Sequence, residues 1–119
     1  MDPKRPWECA NMSHVRDEID RIDREMVDLI AQRFGYVERA WQLKKDPSEA
    51  YVPWRIQQVI DKVRQRAGDR GMPAEMVEMV SAQWRNMIGW FVQYEEEKLR
   101  RQSEAPGEQG SGGRGGEGS

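Results

Sequence analysis

Two cations and a carboxylate stand where the helical pattern of this chain calls for hydrophobes. From Val15, apolar residues recur at Ile19, Ile22, Met26 and Leu29 in alternating steps of four and three, the spacing that lays one stripe along a helix packed on a partner. The next positions on that stripe are Arg33, Val37, Ala40 and Lys44. Arg33 and Lys44 are eleven residues apart, which at about 100° per residue puts them within about 20° of each other around the helix and ~16 Å apart along it. Long side chains from both can converge on one ligand between them. Further on, Met76, Val80, Trp84, Met87 and Phe91 recur at steps of four and three until Glu95 takes the next seam position. A charge buried without a partner costs several kcal/mol, so an anionic ligand would relieve the cations. Arg16, seventeen residues before Arg33, points roughly 100° away from the stripe and cannot easily serve the same site in its own helix.

Each position also has a plainer reading. The seam can twist outward so that Arg33 and Lys44 snorkel to water. Glu95 is followed by Glu96, Glu97 and Lys98 and can belong to a solvated face, and Arg16 alone reads as a surface residue. The coincidence of three interruptions in two separate seams favours a site. The Trp and Met residues fall at helical spacing and read as core, without a cofactor role.

Such residues need long helices to hold them. Ser13 predicts the start of the first helix, its hydroxyl capping free N–H groups while Asp17 and Glu18 complement the dipole. The helix then runs to about Lys44 without a proline. That length favours pairing with another long element or a second chain. Residues 45–52 read as a loop, and Pro53 suits the first position of a second helix. Its apolar face is Ile56, Val59, Ile60, Val63 and Ala67, and the stretch from Gly68 to Gly71 ends it. Pro73 opens a third helix. The expected architecture is all-α, with a lead over residues 1–12, a helical domain over 13–101 and a disordered Gly-rich tail over 102–119 that cannot offset its ordering entropy. An RNA-binding Gly/Arg tail is the sharper alternative, but only Arg114 sits among the glycines and acidic residues accompany it.

Composition excludes several classes. With 119 residues the chain has room for one domain and a modest core. Its 19 Lys+Arg against 21 Asp+Glu supply no bulk positive field for nucleic acid or an anionic membrane. One cysteine, Cys9, and one histidine, His14, make neither an internal disulfide nor a usual zinc set, so a reducing compartment and no metal or other cofactor are expected. No apolar run approaches the ~20 residues that span a bilayer, and the start leads into no signal-type apolar region. The expectation is a cytoplasmic, soluble protein.

The segments Val15-Arg16-Asp17-Glu18-Ile19-Asp20-Arg21-Ile22-Asp23, Leu29-Ile30-Ala31-Gln32-Arg33, Tyr36-Val37 and Lys44 together resemble the first helix of the all-helical chorismate mutases. Within that class the chain is most similar to the isochorismate pyruvate lyases and related bacterial proteins, some of which share a lead like Pro6-Trp7-Glu8-Cys9. The resemblance spans roughly residues 6 to 99. It implies a three-helix chain whose long first helices intertwine in a homodimer, with each site built from both chains around a small dicarboxylate. Carried over by position, Arg33 would grip one substrate carboxylate and Arg16 of the partner chain the other. Lys44 would hydrogen-bond the ether oxygen whose bond breaks, with Glu95 facing the same oxygen. Arg55 would complete the site and residues 45–52 would act as its lid.

The departures point toward the lyase. Ile56 replaces a Glu of typical mutases, Phe91 stands where some have Ser, and Ala40 is smaller than usual. The stretch from Met72 to Glu95 is also about three residues longer than the family spacing, around Ser81-Ala82-Gln83, which leaves Gln93 as the alternative to Glu95. The resemblance implies chorismate mutase activity, chorismate rearranging to prephenate. The runner-up is loss of pyruvate from isochorismate to give salicylate, and neither reaction needs a nucleophile or a metal. The rival from another class is a non-catalytic helical dimer that uses the fold as a binding module.

Overall fold

Asn11, rather than Ser13, starts the first helix. Its side-chain oxygen accepts the His14 backbone N–H at 3.0 Å, and its carbonyl accepts the Val15 N–H at 3.3 Å. Asn caps as well as Ser does, so the first turn opens two residues earlier than the hydroxyl at Ser13 suggests. The computed structural model describes residues 2–104, which contain three α-helices: α1 over Met12–Leu43, α2 over Pro53–Asp69 and α3 over Ala74–Glu104. Short 3₁₀ turns lie at Pro6–Glu8 and Pro47–Glu49, and no strand occurs among the described residues. The chain divides into two units, the first ending at Tyr36 and the second starting at Val37.

In the first unit the lead folds back on its own helix. Glu8 accepts the Arg5 N–H at 2.8 Å, Glu18 accepts the Lys4 N–H at 3.2 Å, and His14 Nδ1 accepts the Ala10 N–H at 3.1 Å. These bonds satisfy donors at the helix entrance but bury little apolar surface. The heptad stripe accordingly stands open, with Ile19 at 51% exposure, Ile22 at 44%, Met26 at 53% and Leu29 at 61%. A stripe expected to be buried is therefore exposed in the single chain, because one helix and a short lead supply no second apolar layer.

The second unit has a core. Ile60 and Leu99 are fully buried, joined by Val37, Ala50, Ala67 and Ile88. Pro53 occupies the first turn of α2, where its missing N–H costs nothing, and the Val52 carbonyl accepts the N–H groups of both Arg55 and Ile56 at 3.0 Å. At the other end Met72 N–H reaches Ala67 O at 3.2 Å and Gly71 N–H reaches Gly68 O at 2.9 Å, the double bond pattern of a Schellman cap. That cap needs a left-handed residue, and Gly71 has φ +84°. Pro73 then caps α3 through its carbonyl, which accepts from Met76 at 2.9 Å and Val77 at 3.1 Å. The resulting α2–α3 hairpin also carries a two-pronged Arg64–Glu78 pair at 2.9 and 2.6 Å.

The apolar face of α2 is the one the spacing predicts, with Ile60 and Ala67 at its centre. The seam of α3 is rotated from its prediction. Its buried line is Ser81, Ile88, Glu95 and Leu99, whereas Met76 stands exposed and Val80, Trp84, Met87 and Phe91 are half-buried at the edge. The helix is apolar on two adjacent stripes, and packing against α2 selected the one through Ile88. Glu95 lies on the selected stripe. α3 also extends to Glu104, so Gln102, Ser103 and Glu104, expected in the tail, form its last turn; residues 105–119 lie outside the described residues.

Truncating the centre of this core should be expensive. Ile60→Ala is expected to lower stability by about 2–5 kcal/mol through lost burial and a residual cavity. Chemical denaturation measures it, and a change below about 1 kcal/mol would mean that Ile60 is not closely packed.

Candidate active site

Lys44 is the first residue past α1. Its backbone N–H still bonds to Trp41 O at 3.1 Å, closing a tight final turn, and its side chain reaches α3, where Nζ donates to Glu95 Oε1 at 2.7 Å. The Lys44 side chain is 25% exposed and that of Glu95 9%. A cation and a carboxylate this enclosed are matched in charge, and removing either partner would leave the other costly to bury. The ammonium has three donors. With one engaged by Glu95, others can meet an oxygen of a ligand.

A second polar group lies between the same elements. Glu38, on the last turns of α1, accepts Trp41 Nε1–H at 2.6 Å and Tyr94 Oη–H at 2.6 Å. The Lys98 ammonium sits 5.4 Å from the centroid of the Tyr94 ring. The bonds from Tyr94 and Trp41 hold the Glu38 carboxyl below the usual carboxylate range, while burial and then the bond to Glu38 push the Tyr94 phenol up to about 12. Both bonds therefore persist at neutral pH, with Glu38 ionised and Tyr94 protonated.

Of the residues singled out by sequence, the second unit brings Lys44 and Glu95 together. Gln93 is exposed. Two residues along a helix turn the side chain by about 200°, so burial of Glu95 and exposure of Gln93 are one fact. Arg55 is exposed on the first turn of α2, its guanidinium donating to Gln58 at 2.6 Å. In the first unit Arg16 is exposed and Arg33 half-buried. Residues 45–52, expected as a loop, are built around the Pro47–Glu49 turn. Asp46 accepts the Ser48 N–H at 2.9 Å, and Glu49 accepts the N–H groups of Lys45 at 3.2 Å and Asp46 at 3.1 Å. Glu38 and Tyr94 escaped the sequence reading. The i, i+3 spacing of Glu38 and Trp41 was the one available signal, since a bond between distant helices has no period.

Among the described residues no helix is long and apolar enough to cross a membrane, and no group of three His, Cys, Asp or Glu side chains could hold a metal ion. An all-helical domain with an enclosed lysine and carboxyl pair at its polar centre is the class that this fold and site define. The family model for chorismate mutase type II matches residues 15–96, and the chain belongs to that family, whose members are isomerases and lyases. It is 30% identical over 89 residues to the isochorismate pyruvate lyase of Pseudomonas aeruginosa, a match covering 75% of this chain and 85% of that protein. It is also 31% identical over 72 residues to the T-protein of Enterobacter agglomerans, covering 60% of this chain but only 19% of that longer protein.

Proposed function

We propose that the chain catalyses the rearrangement of chorismate to prephenate, with Lys44 as the group that meets the ether oxygen as its bond breaks. The observation that carries this reading is the enclosed Lys44–Glu95 pair at 2.7 Å. It sets a cation and a potential second donor side by side, where charge developing on one oxygen would be stabilised by groups already in place. Arg33 would bind one substrate carboxylate, Arg16 of a partner chain the other, and Arg55 would support binding from α2. Fixed arginines on two carboxylates select the folded, reactive conformer, which is catalysis by orientation. Residues 45–52 would cover the ligand and exclude water, strengthening each electrostatic contact. The proposed working domain is residues 13–101, and the proposed location is the cytoplasm.

A homodimer follows from the same reading. The open stripe of Ile19, Ile22, Met26 and Leu29 is suited to a second copy of α1, whose own stripe needs the same cover. Sedimentation at micromolar concentration is expected to find no folded monomer. A stable, active monomer would overturn the shared site.

Elimination of pyruvate from isochorismate is the second reading. It is favoured by the similarity to a lyase along most of that protein's length and by half-buried Ile56 and Phe91, the first at a position that is Glu in typical mutases and the second at one that is Ser in some. Purified protein offered chorismate and isochorismate separately, with products identified by chromatography, tests both. Prephenate from the first supports the mutase, while salicylate and pyruvate from the second alone would replace it with the lyase. Turnover of neither would favour a helical binding module.

A further inference from the structure

The polar contacts around Lys44 form a closed circuit. On α3, Tyr94 Oη–H donates to Glu38 Oε2 at 2.6 Å. Glu38 Oε1 accepts from Trp41 Nε1–H at 2.6 Å. The Trp41 carbonyl accepts the Lys44 N–H at 3.1 Å, Lys44 Nζ donates to Glu95 Oε1 at 2.7 Å, and Glu95 adjoins Tyr94 through a peptide bond. Every link but that last one is a hydrogen bond, and the path returns to its start.

We infer that Glu38 and Tyr94 are positioning residues for the reaction, a latch between α1 and α3 that fixes where the Lys44 ammonium stands. The inference rests on the reading of Lys44 as the group that meets the reacting oxygen. Three features support it. First, Lys44 lies beyond the last residue of α1, where the helix no longer dictates backbone position, and its stem is long and flexible. Something else must aim it. Second, Glu38 uses both carboxylate oxygens, one on α3 and one on the indole of Trp41, whose own carbonyl holds the Lys44 backbone. A shift of α3 is thereby transmitted to Lys44 through three hydrogen bonds. Third, Tyr94 and Glu95 are neighbours, so one short stretch of α3 holds Lys44 at both ends, through Glu38 and Trp41 at its backbone and through Glu95 at its ammonium. Displacements of about 1 Å at a reacting centre can cost 10²-fold in rate, which is the scale on which such a latch acts.

Tyr94→Phe tests this, because it removes one oxygen and leaves the ring packed. It is expected to lower kcat about tenfold or more while KM stays within about twofold, since carboxylate binding belongs to the arginines. The same substitution placed in a Lys44→Ala, Glu95→Gln background is expected to cause no further loss, as the ammonium that the latch aims is gone. That background leaves no buried charge without a partner, so it is expected to fold. Should Tyr94→Phe fail to fold, Glu38→Gln opens the same latch and is read in the same way, because an amide offers one acceptor oxygen to two donors. Unchanged kcat, a rise in KM alone, or an equal loss in both backgrounds would each overturn the latch. Full turnover by the Lys44→Ala, Glu95→Gln protein would instead overturn the role given to Lys44, independently of Tyr94.

Discussion

Replacement of Lys44 by Ala is expected to lower kcat by about 10²-fold or more, the usual loss when one preorganised donor is removed from a developing oxyanion. KM should change little. The ether oxygen of the bound substrate carries little charge, so the contact gains its strength only as the bond breaks, and an interaction made in the transition state appears in kcat. Arg33→Ala is expected to differ by raising KM as well, because a carboxylate is charged in the ground state and in the transition state alike. The contrast is more informative than either loss alone. Lys44→Ala also removes the partner of a carboxyl whose side chain is only 9% exposed, so its stability must be measured alongside its rate. Adding Glu95→Gln relieves that charge without restoring the cation. If Lys44→Ala turned over nearly as fast as the parent, with its helices intact, the assignment of the site would fail.

The parts of this site that sequence exposes are those which break a pattern. Lys44 and Glu95 stand out because each occupies a position due to a hydrophobe, and the structure pairs them across fifty-one residues of chain. The doubt between Glu95 and Gln93 arose from comparing loop-to-helix spacings, where an insertion is ambiguous. In an unbroken α3 whose phase is set by Ile88 and Leu99, Glu95 is buried and Gln93 exposed. The same helix explains the rotated seam: Met76, Val80, Trp84 and Val77, Ile88, Val92 are both acceptable stripes, and only the shape of α2 chooses between them. Element limits followed local chemistry closely at Pro53 and Gly71, where backbone restrictions act within a few residues. At Ser13 two adequate caps competed, and Asn11 was placed to reach the His14 N–H.

Glu38 and Tyr94 were invisible for a different reason. A glutamate on an amphipathic helix and a tyrosine near a charged run look like ordinary half-exposed residues, and their 2.6 Å bond is a property of two helices meeting. Nor could the first unit declare its purpose alone. Arg16 is an exposed arginine in the single chain, and the open stripe from Ile19 to Leu29 has meaning only with a second apolar surface against it. In the proposed homodimer that surface would come from a second copy, of which the periodicity of one chain carries no more than the hint of a long helix with one apolar stripe.

Glu95→Gln is expected to raise turnover, because here the carboxyl makes a demand that an amide would not. Glu95 accepts from Lys44 Nζ at 2.7 Å. To help stabilise negative charge on the ether oxygen it must donate instead, which a carboxyl does only when it carries a proton. As an acceptor beside that oxygen it opposes the growing charge and draws part of the Lys44 field to itself. The amide of Gln donates to the oxygen while its carbonyl still accepts from Lys44, so the variant is expected to fold and to exceed the parent in kcat by up to about 10²-fold, the usual worth of one preorganised donor. Rates at saturating substrate for the two proteins decide the matter, with circular dichroism to exclude unfolding. An unchanged kcat would remove Glu95 from the reacting centre and leave it as the structural counter-ion of Lys44.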